Sequence, residues 1–480
     1  MAARMKSKSE RGFIAAEVDR LTNGWTSTLT SPNYDLKDLS VLQARAREEL
    51  KNNAYVQRFV NMVRNNTVGP DGGFRLQVKS VTTRGEPDKL LNDMVEAQWR
   101  RWGRKGTCDV TARYTFHDLQ NLVVTGLVVD GEAFVRRIRN WNGNEWGYAL
   151  QFIDPARVPA THNNADANIQ LSIESDQWGA PVAYHIAKRA APSSIPFSDR
   201  RQEFDRIPAD EILHFYLPDL ANQDRGVPAL ASCLRDLNML RGYQEAELVA
   251  ARQHANQVGF FERDPNAATG FVGDGNDDLG NVYMDSEPGE WRELPAGLKA
   301  NWIDPAHPNQ AYKDFVKAML RSIASALSVN YNTLAGDLEG VNYSSLRQGA
   351  LEERETWKCL QTHVRDHFLQ VVYEDWLTSA LGRGKILTGG RPPEQQRDKL
   401  LRVNWQPRRW EWVDPVKNEQ AHALAIQNNT RSVSQIIREQ GHEPDEVFAE
   451  IAAERERMAE LGITAGDVLA AIEPDEELDE

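Results

Sequence analysis

The feature that most constrains this chain is an unbroken helical pattern late in the sequence. Between Tyr343 and Leu381 there is no proline, and Gly349 is the sole glycine. Leu346, Ala350, Trp357, Leu360, Val364, Phe368 and Val371 recur through it at helical spacing toward Trp376. At 1.5 Å per residue such a helix is roughly 55 Å long, more than a compact domain usually accommodates. The rest of the chain must be arranged along it, with Trp357, Leu360, Val364 and Phe368 as its expected core contacts. Ser345, with Gln348 three residues later, predicts a capping box at its start.

Immediately upstream, Tyr312, Phe315, Val316, Met319, Leu320, Ile323 and Leu327 predict a second helix with one apolar face. That pattern stops at Ser328-Val329-Asn330, and a polar loop from Tyr331 to Asn342 joins the two helices. Gly336 and Gly340 tolerate positive φ there. A polar loop between two helices is either a plain connection or a place where function sits.

Composition narrows the class. With 56 basic against 70 acidic residues the net charge is −14, the wrong sign for a surface that grips nucleic acid throughout. Cys108, Cys233 and Cys359 are odd in number and far apart, which predicts reduced thiols in a cytosolic setting. Met1 to Arg11 is basic and polar, so no signal peptide is expected. The longest apolar run, Leu122 to Val129, is far short of the ~18 residues a membrane span needs. A soluble chain without membrane contact is expected.

Along the chain, residues 1–40 read as a polar arm. Helices are expected over Leu42–Val63 (with Leu50, Tyr55, Phe59 and Met62 inward), Pro87–Trp102 and Thr115–Val128. The period then changes to that of strands. Gly131–Arg139 and Glu145–Ile153 flank Asn142-Gly143, a strong hairpin signal. Ile169–Ser175 and Pro181–Ala187 flank Trp178-Gly179, and Ile207–Leu217 adds another strand, giving a β-rich module over 127–218. Pro228 stands where a proline opens a helix, ahead of Leu230, Leu234, Leu237, Leu240 and Tyr243. Residues 258–306 form a Gly/Asp/Pro-rich insertion between two helices. After Gly384, strands are expected at Leu401–Trp405 and Arg409–Trp412, then helices to Leu461 and an acidic tail, 473–480.

Conventional chemistry is thin. His363 and His367, four apart on one helical face, have metal-ligand spacing but no third ligand, so ordinary helix surface is the plainer reading. Asp274-Gly275-Asn276-Asp277-Asp278, with Asp285 at the twelfth position, resembles a calcium loop but has Leu279 where glycine belongs. Arg408-Arg409 among Trp405, Trp410 and Trp412 reads as a stacking patch or, more simply, as tryptophans packed in a sheet. Gly382-Arg383-Gly384-Lys385 lacks the spacing of a phosphate loop and reads as a helix stop. No G-x-S-x-G, Cys/His nucleophile or paired-carboxylate site is present, so no catalytic residue, metal or cofactor is assigned.

Three segments together carry a resemblance. They are Ala44-Arg45-Ala46-Arg47 with Asn52-Asn53-Ala54-Tyr55 and Asn65-Asn66-Thr67-Val68-Gly69, then Arg225-Gly226-Val227-Pro228-Ala229-Leu230 running into Tyr243-Gln244-Glu245-Ala246-Glu247-Leu248, and then Asn342 to Gln348. In this order, over roughly 20–450, they resemble the portal proteins of lambda-type tailed phages. The resemblance implies an α+β, predominantly helical portal fold and a closed ring, twelve subunits in the mature family form. It implies a wing at 41–226, stem helices at 227–257 and 307–328 around a clip at 258–306, and a tunnel loop at 329–342. A long backbone helix with wing return strands follows at 343–431, and crown helices at 432–472.

It further implies a homo-oligomer at a capsid vertex of the virion, assembled in the host cytoplasm. Double-stranded DNA would pass through the channel without sequence-specific contacts. The terminase large subunit, head-completion and tail adaptor proteins, and the major capsid protein are the implied partners. Asn332, Leu334, Asp337, Leu338, Glu339, Val341 and Asn342 are the residues expected to face DNA. Asp337 and Glu339, the loop's only charges, are expected to repel phosphate. One rival is a metal-dependent hydrolase using His363, His367 and the acidic stretch near Asp274. Another is a different ring-forming head–tail adaptor, although such chains are usually far shorter.

Overall fold

The computed structural model describes residues 29–70, 72–82, 84–188, 203–256, 260–263, 275–276, 282–283, 298–301, 310–386, 393–410, 415–439 and 444–462. The polar arm before residue 29, most of the calcium-like stretch, Trp412 and the acidic tail lie outside them. The chain divides into two units, one of residues 1–47, 60–229 and 357–480, the other of 48–59 and 230–356. Helices and antiparallel sheets are mixed, with helix predominating.

The long helix runs as Tyr343–Val364, a single wide turn Arg365–Leu369 with i→i+5 hydrogen bonding, and Gln370–Gly382. The wide turn inserts a residue and changes the buried face. Before it, one residue per turn is buried: Glu353, Trp357, Gln361 and Val364. After it the buried residues come in pairs, Phe368/Leu369, Val372/Tyr373, Trp376/Leu377 and Ala380/Leu381. Leu360 lies off the narrow stripe and is only half-buried, whereas Trp357, Val364 and Phe368 are inside as expected. Helix capping differs from the expected Ser345 box. The Asn342 side chain accepts from the Ser345 N–H at 2.8 Å, so Asn342 is the cap.

In the first unit this helix closes an aromatic core. Trp99, on the helix Lys89–Trp102, has five rings within 4.8 to 5.8 Å: Trp102, Phe116, Tyr373, Trp376 and Trp405. Trp405 comes from Val403–Gln406, which pairs antiparallel with Arg75–Val78 and so returns the C-terminal region to an N-terminal strand. The helix Phe116–Val129 starts at a full capping box between Thr115 and Asp118.

The β-rich module is two small antiparallel sheets. Tyr148–Ile153, Glu132–Arg139 and Ile212–Tyr216 form one, in that spatial order. Ile169–Gln170, Ile173–Ser175, Pro181–Ala187 and Phe204–Pro208 form the other. Alternating inward residues (Phe134, Ile153, Ile173, Tyr184, Ile186, Ile207 and Ile212) make one core cluster with Val158.

Three local expectations change. Asn142-Gly143 is not a two-residue turn. The second strand starts at Tyr148, and Asn144 organises the longer loop by accepting from the N–H groups of Trp146 and Gly147. The helix expected over Leu42–Val63 breaks at buried Asn53, whose side chain accepts from the Tyr55 N–H and donates to Glu49. Pro228 does not open a helix, because a turn over 229–233 precedes Leu234–Asn256.

The segment before that turn is pinned by a buried ion pair. Arg225 and Glu132 are both fully buried. The Arg225 guanidinium donates to both Glu132 oxygens and to the Leu171 and Val158 carbonyls, and His214 and Gln43 also bond Glu132. Burial alone would push the Glu132 carboxyl up. The Arg225 charge and the hydrogen bonds of Arg225 and His214 outweigh that and hold it at about 2. Burial holds His214 below its ordinary value of 6.5, against the pull of Glu132.

Trp99→Ala should destabilise the first unit by about 3–5 kcal/mol, read as a shift in urea midpoint, while Leu360→Ala should cost less because that side chain is half-exposed. Glu132→Gln should cost about 3–5 kcal/mol by leaving a buried guanidinium without a counter-charge. For pH, both folded-state values are depressed, so protons bind the unfolded chain more readily. Stability should fall as pH drops below 6.5 through His214, and again from 4.5 toward 2 through Glu132. Urea midpoints measured across that range check the slope.

Candidate functional site

The loop between the two helices lies wholly in the second unit. The helix Gln310–Ala326 buries Leu320, Ile323 and Ala324, with Leu327 following them inward. Ser328 takes a left-handed φ of 53° and turns the chain out of the helix. The Asn330 N–H then donates to the Glu353 carboxylate at 3.2 Å. Residues Tyr331–Ala335, expected as loop, form a short helix that Gly336 ends with φ 68°. Leu334 is fully buried beneath it, and Arg58 Nε donates to the Thr333 carbonyl at 2.6 Å. The first half of the loop is thereby fastened to its own unit.

The second half is held differently. Asp337 accepts from the Tyr331 hydroxyl at 2.8 Å and from the Glu339 N–H at 3.0 Å. Lys317 Nζ approaches Asp337 at 3.5 Å, and Lys313 Nζ reaches Glu339 at 2.6 Å. The Glu339 N–H, the Tyr331 hydroxyl and Lys317 hold the Asp337 carboxyl below its usual range. The hydrogen bond to Glu339 raises Lys313, and burial together with Asp337 pushes the Tyr331 phenol up to about 12.

Asp337 and Glu339 are therefore not the bare charges expected from the loop alone. Lysines of the preceding helix neutralise them. Of the other residues expected to face DNA, Leu338 and Asn342 are exposed, Asn332 and Val341 half-buried, and Leu334 buried. Lys313, Lys317 and Arg321 lie off the apolar face by which the sequence predicts the helix Gln310–Ala326. Their four-residue spacing was the available signal.

The other candidate positions are occupied by structure. His363 Nε2 donates to the Tyr216 carbonyl at 3.0 Å, and its ring lies 4.3 Å from that of His367. Among the described residues no group of three or more His, Cys, Asp or Glu side chains could hold a metal. Arg408 turns toward the 65–69 turn, where it and the Trp410 indole both donate to Asn66, and Trp405 is buried in the aromatic core. Gly384, at φ 68°, ends the long helix with its N–H on the Leu381 carbonyl, and Lys385 pairs with Glu145. Burial raises the Cys108 thiol to about 12 and Cys233 to about 11, which removes both as thiolate nucleophiles at neutral pH. No helix of the described residues is long and apolar enough to cross a membrane.

The division within the loop is testable. Leu334→Ala should lower stability by about 2–5 kcal/mol. Leu338→Ala, at a side chain 67 % exposed, should stay within about 0.5 kcal/mol of the parent. Thermal and urea unfolding of the two variants separates buried footing from exposed tip.

Comparison with known proteins agrees with the sequence resemblance. Residues 18–361 match the model of a family described as phage portal protein, lambda family. The chain is 36% identical over 493 residues to a probable portal protein of Halomonas phage phiHAP-1, covering 100% of this chain and 94% of that one. It is 21% identical to portal protein B of Escherichia phage lambda, over 85% of this chain and 82% of the other. A looser structural likeness, TM-score 0.48 at 13% identity over 85% of this chain and 94% of the other, is to a chain from the neck of an empty gene transfer agent (GTA) particle. With most of its length matched by one family model and all of it aligned to a relative above 30% identity, this chain belongs to the lambda family of phage portal proteins.

Proposed function

We propose that this portal protein works as one subunit of a closed ring of twelve at a capsid vertex, a conduit for double-stranded DNA during packaging and ejection. Family membership carries the reading: a model match over 18–361 and a full-length relative described as a probable portal protein. Each subunit presents a heterologous surface, and cyclic closure lets such a surface build a finite ring. The hydrolysing motor is a separate terminase. Head-completion and tail proteins take its place after packaging, and the major capsid protein surrounds the ring. Assembly takes place in the host cytoplasm and the mature ring resides in the virion. Portal proteins are structural, and the histidine pair offers no competing enzyme reading, since one member's Nε2 is committed to a backbone carbonyl.

In this reading the insertion 258–306 is the docking end. Its described residues include two short antiparallel ladders, Phe260–Arg263 with Leu298–Asn301 and Gly275–Asn276 with Val282–Tyr283. They lie in sequence between the helices Leu234–Asn256 and Gln310–Ala326. The segment 336–342 is the channel-facing part, because it combines an exposed tip with a fastened base. Contacts there fall on the DNA backbone and carry no base readout.

Two outcomes test this. Replacing 258–306 by a short Gly/Ser linker should abolish terminase capture while the first unit still unfolds at its normal midpoint. Undiminished capture would place docking elsewhere. Asp337→Lys with Glu339→Lys should package less DNA per prohead at low salt, with the defect easing as salt rises, because each neutralised phosphate adds a salt-dependent hold. Packaging equal to the parent at low salt would remove this segment from the DNA path.

A further inference from the structure

The helix Gln310–Ala326 carries Lys313, Lys317 and Arg321 at four-residue intervals, a spacing that sets them about 6 Å apart along one face. Lys313 is held by Glu339 at 2.6 Å and Lys317 lies 3.5 Å from Asp337. Lys317 and Arg321 also sit over the Tyr331 ring, at 5.7 and 5.5 Å. The partners differ in how they are mounted. The cations stand on a regular helix, whereas both carboxylates ride on a three-residue flap, Asp337-Leu338-Glu339, between two left-handed glycines. Gly336 has φ 68° and Gly340 φ 69°, and a Cβ built at Gly340 meets nothing within 4 Å.

The outer ion pair is weakly held. The Lys313 and Glu339 side chains are 65% and 67% exposed, and a pair so open to water is readily exchanged. A phosphodiester backbone is the stronger occupant for such a row. It offers acceptors in series, and contact with cations releases its condensed counterions, which a lone carboxylate does not do.

We infer that Lys313, Lys317 and Arg321 form a row for the phosphates of duplex DNA, and that Asp337 and Glu339 are placeholders which occupy it between contacts. This rests on the reading that the segment meets DNA. Each phosphate then exchanges with a carboxylate already in place. The row can touch a moving duplex without gripping it, since releasing a phosphate is compensated by the returning carboxylate. The same exchange keeps the lysines from standing as bare charges.

The test is a four-variant cycle on the full-length protein, reading fluorescence anisotropy of a short duplex of arbitrary sequence across a salt series. Asp337→Asn with Glu339→Gln keeps acceptors for the Tyr331 hydroxyl and removes the competing charges. It should bind about two- to tenfold more tightly at low salt. Lys313→Gln with Lys317→Gln should flatten the slope of log affinity against log salt by about 1.8, or about 0.9 per phosphate contact. In the lysine-free background the gain from neutralising the carboxylates should vanish, the signature of direct coupling. An unaltered slope in the lysine variant overturns the inference. So does an equal gain with the lysines absent, which would make the carboxylates simple repellers. In both cases duplex binding by the parent protein leaves the channel reading standing, whereas a parent that binds no duplex overturns both.

Discussion

The Arg225–Glu132 pair is the contact on which the first unit's organisation depends. A guanidinium and a carboxylate removed from water are tolerable only when nearly every donor and acceptor is used, and here they are. Arg225 ties the strand Glu132–Arg139 to the carbonyls of Val158 and Leu171, while His214 and Gln43 complete the carboxylate. Backbone geometry makes the pairing possible. A Cβ on Gly226 would lie 2.0 Å from the Gly131 carbonyl oxygen, and one on Gly131, at φ 82°, would lie 2.3 Å from the Val227 carbonyl carbon. Two glycines meet so that two charges can.

The long helix plays the complementary part. Its wide turn at Arg365–Leu369 converts a one-residue stripe into a two-residue face. That broader face is what Trp99, Trp102 and Phe116 pack against, with Tyr373 and Trp376 contributed by the helix itself. The other end of the helix behaves differently. It starts at an Asn342 cap directly after a flap whose outer ion pair, Lys313 with Glu339, is exposed, while the inner pair, Lys317 with Asp337, is half-buried. The same element thus runs from a densely buried face to a start beside an exposed ion pair.

Much of this was legible in the sequence, and the residues show why. The absence of proline from 343–381 announced the long helix, and strand-period runs located both sheets. Arg225-Gly226 stood out in the family resemblance, but its partner did not. Glu132 opens a strand like any acidic residue, and nothing local says that it is buried against a residue 93 positions away. The wide turn was invisible because a single inserted residue scarcely disturbs a helical pattern. Asn142-Gly143 misled because the nearby Asn144 makes the backbone contacts that define the loop. The loop by itself carries only acidic charge, and its counter-charges, Lys313 and Lys317, stand on the helix Gln310–Ala326, too far along the chain for local spacing to pair them with Asp337 and Glu339.

The proposed function requires that this chain close into a ring whose 331–342 segments surround the axial opening. Cryo-electron microscopy of the purified full-length particle tests it most directly. The expected result is a closed cyclic ring in which every Leu338 tip points toward the axis at the narrowest part of the channel. A discrete monomer, or a ring whose 331–342 segments lie on its outer rim, would contradict it.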